Sequence, residues 1–311
     1  MNEPATRSGE HFPLQRLRAT TEYLSDEHFA ELVEGSGVDP VLLEGRYRTV
    51  TAEEAQAVGF SEHQARDGML IKLYSPAGEV SYELKPDKPR TEVKKNGKRM
   101  IVKYEQQGSF ASVVDVHLSM RWRLLFSDEP LYVTEGTKKG DCLASRNRLA
   151  VGLAGVWNWG TEPERDRLRR RRPELLSDWD VVPLKGRRVY IAFDADFRKK
   201  RSVALAIMRL AERLTEREAR VYIIWLPGPE KGIDDFVVAG GNLERLEEDA
   251  TPFQACDFIP YVPKVALQAG AATERRPSFL TLLRFLVRRC KSRFFFHRPR
   301  GTCPRGCSKR L

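Results

Sequence analysis

Between residues 131 and 235, three short apolar runs end in acids, and this feature restricts the fold more than any other. Leu131-Tyr132-Val133-Thr134 closes on Glu135-Gly136 before the helix-like stretch Thr137–Asn147. Arg188-Val189-Tyr190-Ile191-Ala192-Phe193 closes on Asp194-Ala195-Asp196. Arg220-Val221-Tyr222-Ile223-Ile224-Trp225 leads through Leu226-Pro227-Gly228 to Lys231-Gly232-Ile233-Asp234-Asp235. Runs of this length, rich in Val, Ile and Tyr, read as buried strands. The stretch Ser202–Glu218 reads as a helix, because Val203, Ile207, Leu210 and Leu214 recur at helical spacing with charged residues opposite. Strands alternating with helices give parallel βαβ units with right-handed crossovers. Parallel strands share one carboxyl edge, and ligands bind there. Glu135, Asp194, Asp196, Asp234 and Asp235 are therefore expected to converge on one crevice.

The chain before this region has a different texture. Residues 1–20 are polar, carry no period, and read as a loose leader. Ser25 is an N-cap for a short helix whose stripe is Phe29, Leu32 and Val33. Asp39–Gly45 and Thr51–Val58 read as two more small helices, the second capped by Thr51. Alternation over Met69–Leu84, broken by Ser75-Pro76-Ala77-Gly78, predicts a β-hairpin. A basic loop follows (Lys85, Lys88, Arg90, Lys94, Lys95, Lys98, Arg99), then a strand over Met100–Tyr104. The expected organisation is a leader (1–20), a small α+β unit (21–128), an α/β domain (129–255) and an irregular basic tail (256–311). Ala150–Leu153 supplies a fourth strand, giving an α/β fold with a mostly parallel four-stranded sheet and helices on both faces.

Charge is concentrated at one end. The whole chain carries +10, and residues 274–311, with twelve Lys or Arg and one acid, carry +11. The first 273 residues therefore stand at −1, and the tail is expected to bind nucleic acid non-specifically through its phosphates. Cys290, His297, Cys303 and Cys307 also offer zinc-type ligands there, although their spacing fits no ordinary finger. A disordered tail, a zinc-binding one and a terminus altered by a shifted reading frame all stay open. Cys142 and Cys256 are isolated, so no disulfide framework is visible and a reducing, cytoplasmic setting is expected. The apolar run Phe279–Val287 contains Arg284 and falls far short of the roughly 20 residues of a membrane span. The amino terminus, Met1-Asn2-Glu3-Pro4, has no signal-peptide core.

Clustered carboxylates repel one another and gain protons unless a cation is present. A hard divalent ion such as Mg2+ (or Mn2+) takes one or two carboxylates plus phosphate and water. Asp194 and Asp196 suit that role, with Asp234 and its neighbour Asp235 as further donors. Each motif alone also has a plainer reading. A glutamate before a glycine is often a first-turn helix acid, Asp-x-Asp is common in surface loops, and Asp234-Asp235 can cap the next helix. Lys138 and Lys139 lie in the first turn after Glu135, where cations are locally unfavourable, so either solvation or a phosphate contact explains them. Trp157 and Trp159 fit a packed loop better than base stacking. Arg165, Arg167 and Arg169–Arg172, interleaved with acids, fit a solvated linker or a phosphate track.

Taken in order, strand-Glu-Gly, strand-Asp-x-Asp and Gly-x-Asp-Asp resemble the toprim domain of primases, type IA and II topoisomerases and related nucleases. Thr134–Asp141, Gly155–Trp159, Ile191–Asp196 and Lys231–Phe236 are more closely similar to an uncharacterised toprim-like family at the front of phage- and plasmid-type primase–helicase proteins. The resemblance covers roughly residues 24 to 248. It implies Glu135 as general acid/base, the aspartates as metal ligands, and DNA (single-stranded) and nucleotides as partners. Lys103-Tyr104-Glu105 after the hairpin resembles the small subdomain that precedes toprim in bacterial-type primases. By that likeness Lys85, Arg90 and Lys103 join Lys138 and Lys139 as phosphate or nucleic-acid contacts. No cysteine precedes Cys142 and no Gly-x-x-x-x-Gly-Lys-[Ser/Thr] occurs, so the primase zinc module is expected to be absent and a helicase to be a separate protein. The expected function is a Mg2+-dependent primase-type enzyme in mobile-element replication. The alternatives are a toprim nuclease and a non-catalytic nucleic-acid or helicase-partner module.

Overall fold

Local caps set the first helices. The structure is a computed structural model and describes residues 23–93, 97, 99–108, 112–161 and 173–261. Helix α1 (Asp26–Val33) starts where the Ser25 side chain accepts from the His28 N–H. The expected helix at Asp39–Gly45 shortens to a single 3-10 turn at Pro40–Leu42, opened by the Asp39 cap and Pro40 and followed by Gly45 at φ +67°, which helical backbone does not adopt. Strand β1 (Tyr47–Val50) follows, and α2 (Ala52–Ala57) opens with a full capping box between Thr51 and Glu54. The hairpin forms as β2 (Gly68–Tyr74) and β3 (Val80–Pro86), in a register that pairs Leu70 with Leu84. Its two faces bury different cores. Met69, Ile71 and Leu73 join the main core, while Leu70 and Leu84 join a smaller one with Val50, Ala55 and Phe60.

The stretch expected as a basic loop contains a two-stranded ribbon instead, β4 (Arg90–Val93) against β5 (Arg99–Val102). Val93 and Ile101 stay exposed on it, so no buried face imposes the alternation by which strands are recognised. The strand predicted at Met100–Tyr104 thus starts and ends earlier, and β6 (Glu105–Gln106) returns to pair with β3. The four-stranded antiparallel sheet has the order β1-β2-β3-β6.

Strand β7 (Val114–Val116) and helix α3 (Leu118–Phe126) lead into the second sheet. Its remaining members are β8 (Leu131–Glu135), β9 (Ala150–Leu153), β10 (Arg188–Ala192), β11 (Arg220–Ile223) and β12 (Thr251–Pro252). Helix α4 (Thr137–Ala144) joins β8 to β9, α5 (Arg201–Glu216) joins β10 to β11, and α6 (Ile233–Val238) follows β11. The order is β12-β11-β10-β8-β9-β7, so among the described residues the mostly parallel sheet has six strands, not four. The four parallel members are those read from the sequence; β7 and β12 add antiparallel edges of three and two residues, too short to carry a period. Register pairs Val133 with Ile191 and Ile191 with Ile223, which brings the carboxyl ends of β8, β10 and β11 to one edge. From β8 the chain goes first to β9 on one side and then to β10 on the other. The resulting switch point opens a crevice between Glu135 and Asp194.

One buried ionic cluster ties the first sheet to the second. Arg46, just before β1, directs its guanidinium at Asp115 on β7 and Asp141 on α4, and all five of its N–H groups are used. Nε and one terminal nitrogen donate to Asp141 at 2.9 and 3.0 Å. The terminal nitrogens also donate to Asp115 at 2.9 and 2.6 Å and to the Lys72 carbonyl at 2.8 Å. The Tyr47 hydroxyl donates to Asp141 at 2.5 Å and the Tyr74 N–H to Asp115 at 2.9 Å. Burying three charges is costly, and such completeness is what makes it tolerable. The main core also spans both sheets, from Phe29 and Ile71 to Tyr132 and Ile233. Among the described residues no helix is long and apolar enough to cross a membrane. The leader, Arg165–Arg172 and the tail residues Cys290, His297, Cys303 and Cys307 lie outside the described residues.

Candidate functional site: an acidic crevice with basic walls

The sheet edge opens into a cleft of about 1060 Å³, lined by Glu135, Asp194 and Asp234 together with Lys85, Lys103, Lys138, Lys139 and Lys231. Backbone geometry holds the acids there. Gly136 turns the chain from β8 into α4 at φ +94°, a conformation that side chains disfavour, so glycine suits the position after Glu135. The Ala195 N–H donates to the Lys231 carbonyl at 2.8 Å and locks the Asp194 loop onto the Lys231-Gly232 loop. A Cβ at Gly232 would stand 2.4 Å from Asp234 Oδ1 and 2.5 Å from Lys139 Cε, so this glycine lets those two side chains close in.

The acids divide by what they touch. Asp194 and Asp234 are both buried and flank Lys139, whose Nζ lies 3.2 Å from Asp194 Oδ1 and 3.6 Å from Asp234 Oδ1. These are ion pairs without hydrogen-bond alignment, and both Oδ1 atoms lack a hydrogen-bond partner. Lys231 Nζ reaches the other Asp194 oxygen at 2.9 Å. Asp196 sits beside the cleft, where it pairs with Lys200 at 2.5 Å. Asp235 turns back to accept from the Gly232 N–H at 2.9 Å, as the cap of α6. Among the described residues no three His, Cys, Asp or Glu groups gather at metal-ligand spacing.

Burial above all, and then the Asp194 and Asp196 carboxylates, push the Glu135 carboxyl above the ordinary glutamate range, while Lys139 and Lys231 pull the other way. Burial lowers the Lys139 ammonium, but Asp234 and Asp194 outweigh it and leave Lys139 raised. The crevice therefore holds a carboxyl with raised proton affinity beside buried oxygens whose counter-charges among the described residues are lysines. A hard divalent ion takes such an all-oxygen donor set. With two oxygens lacking hydrogen bonds, Asp194 and Asp234 fit that role, and an ion there would contest the place of Lys139.

The basic residues divide too. Lys85 on β3 and Lys138 on α4 share one carboxylate, Glu31 on α1. Lys103 lines the cleft just beyond β5. Arg90 makes a two-pronged pair with buried Glu105, at 2.5 and 3.1 Å, which anchors the base of the ribbon. Trp159 is fully buried, and its carbonyl accepts from Trp179 Nε1 at 3.1 Å, so it packs a loop. Glu31 was not apparent from sequence, nor was Glu83, a buried cleft residue on β3. Burial, reinforced by Asp115, pushes the Glu83 carboxyl up to about 8. Glu83 falls on the polar phase of its strand with Ser81 and Lys85, and only the pairing that sets it opposite Ile71 turns it inward. Glu31 carried no signal, since its partners lie 54 and 107 residues away.

A family model for a domain of unknown function, DUF3854, matches residues 121–244, the segment that carries Glu135, Asp194 and Asp234. An uncharacterized protein of Picosynechococcus sp. is 23% identical over 271 residues, covering 70% of this chain and 27% of that protein. The chain thus spans about a quarter of the length of this relative. Among solved structures, the zinc-binding and RNA polymerase domains of Aquifex aeolicus primase give a TM-score of 0.48 at 15% identity, covering 85% of this chain and 72% of that one. A DnaG catalytic core gives 0.49 at 14% identity, with 79% and 80% covered. A DnaG primase catalytic domain bound to single-stranded DNA gives 0.47 at 14% identity, with 78% and 81% covered.

Proposed function

We propose that the crevice is the active site of a Mg2+- or Mn2+-dependent nucleic-acid enzyme of toprim and primase type. The observation that carries this reading is the pair of buried Asp194 and Asp234 oxygens without hydrogen bonds, facing Glu135 in a cleft walled by lysines. The ordered motifs Glu135-Gly136, Asp194-x-Asp196 and Gly232-x-Asp234 support it from the sequence. In this reading Asp194 and Asp234 hold the ion, Asp196 supports them, and Asp235 serves the α6 cap. When bound, the ion supplies positive charge to phosphate oxygens and to the leaving group. Glu135, with its raised proton affinity, moves the proton of the attacking or leaving hydroxyl. Lys85, Lys103 and Lys138 meet the phosphates of single-stranded DNA or a nucleotide. A role in mobile-element replication together with a helicase extends the same reading.

A second reading has its own support. Lys139 already stands between Asp194 and Asp234, which is how a module would neutralise these acids without metal. Incubation of the protein with single-stranded DNA, nucleotides and Mg2+ or Mn2+ separates the readings. Primer extension that Glu135→Gln abolishes is expected. Cleavage in its place indicates a nuclease, and DNA binding with neither product indicates the non-catalytic module.

A further inference from the structure

Glu31 occupies a place that a nucleic-acid enzyme would be expected to keep basic. It projects from α1 into the cleft, and its two oxygens are divided between lysines from different parts of the chain. Oε1 accepts from Lys138 Nζ at 2.5 Å, and Oε2 accepts from Lys85. All three side chains are partly buried, at 27% exposure for Glu31, 29% for Lys85 and 19% for Lys138. A carboxylate gripped from both sides has the charge and the paired acceptor oxygens of one face of a phosphate group. Burial acts against the ionised form of Glu31, yet the two lysines hold it below the ordinary glutamate range, so the bridge is charged at neutral pH.

We propose that Glu31 is an internal stand-in for a phosphate. It holds Lys85 and Lys138 side by side in the cleft and is displaced when a phosphate of a bound strand takes both lysines. This rests on the reading of the cleft as a phosphate-binding site and adds a competitor to it. Three charges, two positive and one negative, leave the bridge with a single net positive charge. Removing the carboxylate leaves two cations free for the ligand. Affinity should therefore rise when Glu31 is neutralised, which is opposite to the usual effect of deleting a contact in a binding site.

The test measures the affinity of a fluorescein-labelled single-stranded oligonucleotide by anisotropy at fixed salt, for the full chain and for Glu31→Gln. Both proteins are also measured in a Lys85→Ala, Lys138→Ala background. Glu31→Gln should bind roughly fivefold tighter in the native background, as expected for the release of two partly exposed ion pairs. The gain should disappear when the two lysines are absent. An equal gain in both backgrounds reports only the change in overall charge and overturns the proposal, as does unchanged or weaker binding by Glu31→Gln. If Lys85→Ala with Lys138→Ala leaves native affinity intact, the phosphate reading of this wall fails as well, which separates the two failures. Thermal melts verify folding, and Glu31→Ala repeats the measurement if the amide destabilises α1.

Discussion

Helix α4 turns Asp141 toward Arg46 on one side and Lys139 toward Asp194 and Asp234 on another, so one short helix feeds two ionic clusters. Both clusters are buried, and both set two aspartates against a cation. At Arg46 every guanidinium N–H finds an acceptor, and Asp115 and Asp141 each accept on both oxygens. In the crevice two carboxylate oxygens face Lys139 without hydrogen-bond alignment, and a third carboxyl, Glu135, has raised proton affinity. Buried charge is tolerated when its bonds are complete. A cluster left incomplete keeps capacity for something that binds, and such local inconsistencies concentrate at functional sites. On the proposed reading, the first cluster is architecture and the second is the candidate site.

Breaking the complete cluster should have the largest effect. Arg46→Met leaves two buried carboxylates facing each other with no cation, and a loss of about 3–5 kcal/mol in urea unfolding is expected. A loss below about 1 kcal/mol, the range of exposed pairs, would erase the contrast.

The next effect is one of pH. Glu83 lines the cleft, and burial beside Asp115 holds its carboxyl at about 8, up from 4.5. The folded state therefore keeps a proton that the unfolded chain releases. Its stabilising contribution is complete below pH about 4.5 and is lost as pH rises toward 8, at a slope on the order of 1 kcal/mol per pH unit. Glu135, raised in the same direction, adds to the same slope. Urea titrations at several pH values should show a flatter profile for Glu83→Gln than for the native chain. Parallel profiles would mean that burial does not raise the Glu83 carboxyl in the folded state.

Much of the crevice is legible in the sequence because its parts are local. A strand announces itself by length and β-branched composition, and an acid directly after it inherits the position of the strand end. The caps Ser25 and Thr51 and the β2–β3 hairpin are local in the same sense. Asp235 shows how such signals divide, since Gly232-Ile233-Asp234-Asp235 serves equally as a ligand loop or a helix cap, and the backbone contact uses Asp235 as the cap. Arg46 was silent in the sequence, because its partners lie 69 and 95 residues away and a lone arginine before a strand has no period. Glu31 was silent for the same reason. Of the β4–β5 ribbon only β5 was read, with shifted ends, and β4 escaped because the ribbon buries too little to force alternation; β7 and β12 escaped because they are too short.

Thermal melting of the full chain and of Asp194→Asn with Asp234→Asn, each with and without millimolar Mn2+, tests the division into architecture and chemistry most directly. An ion that binds only the folded state stabilises it by linkage. Without metal, the doubly substituted protein should melt lower than the native one, because Lys139 loses both of its carboxylate partners, so the shift that metal adds to each protein is what is compared. With Mn2+, the native chain should melt higher and the substituted chain should not move. No rise in the native protein, or the same rise in both, would contradict the assignment of the Asp194–Asp234 crevice as the metal site.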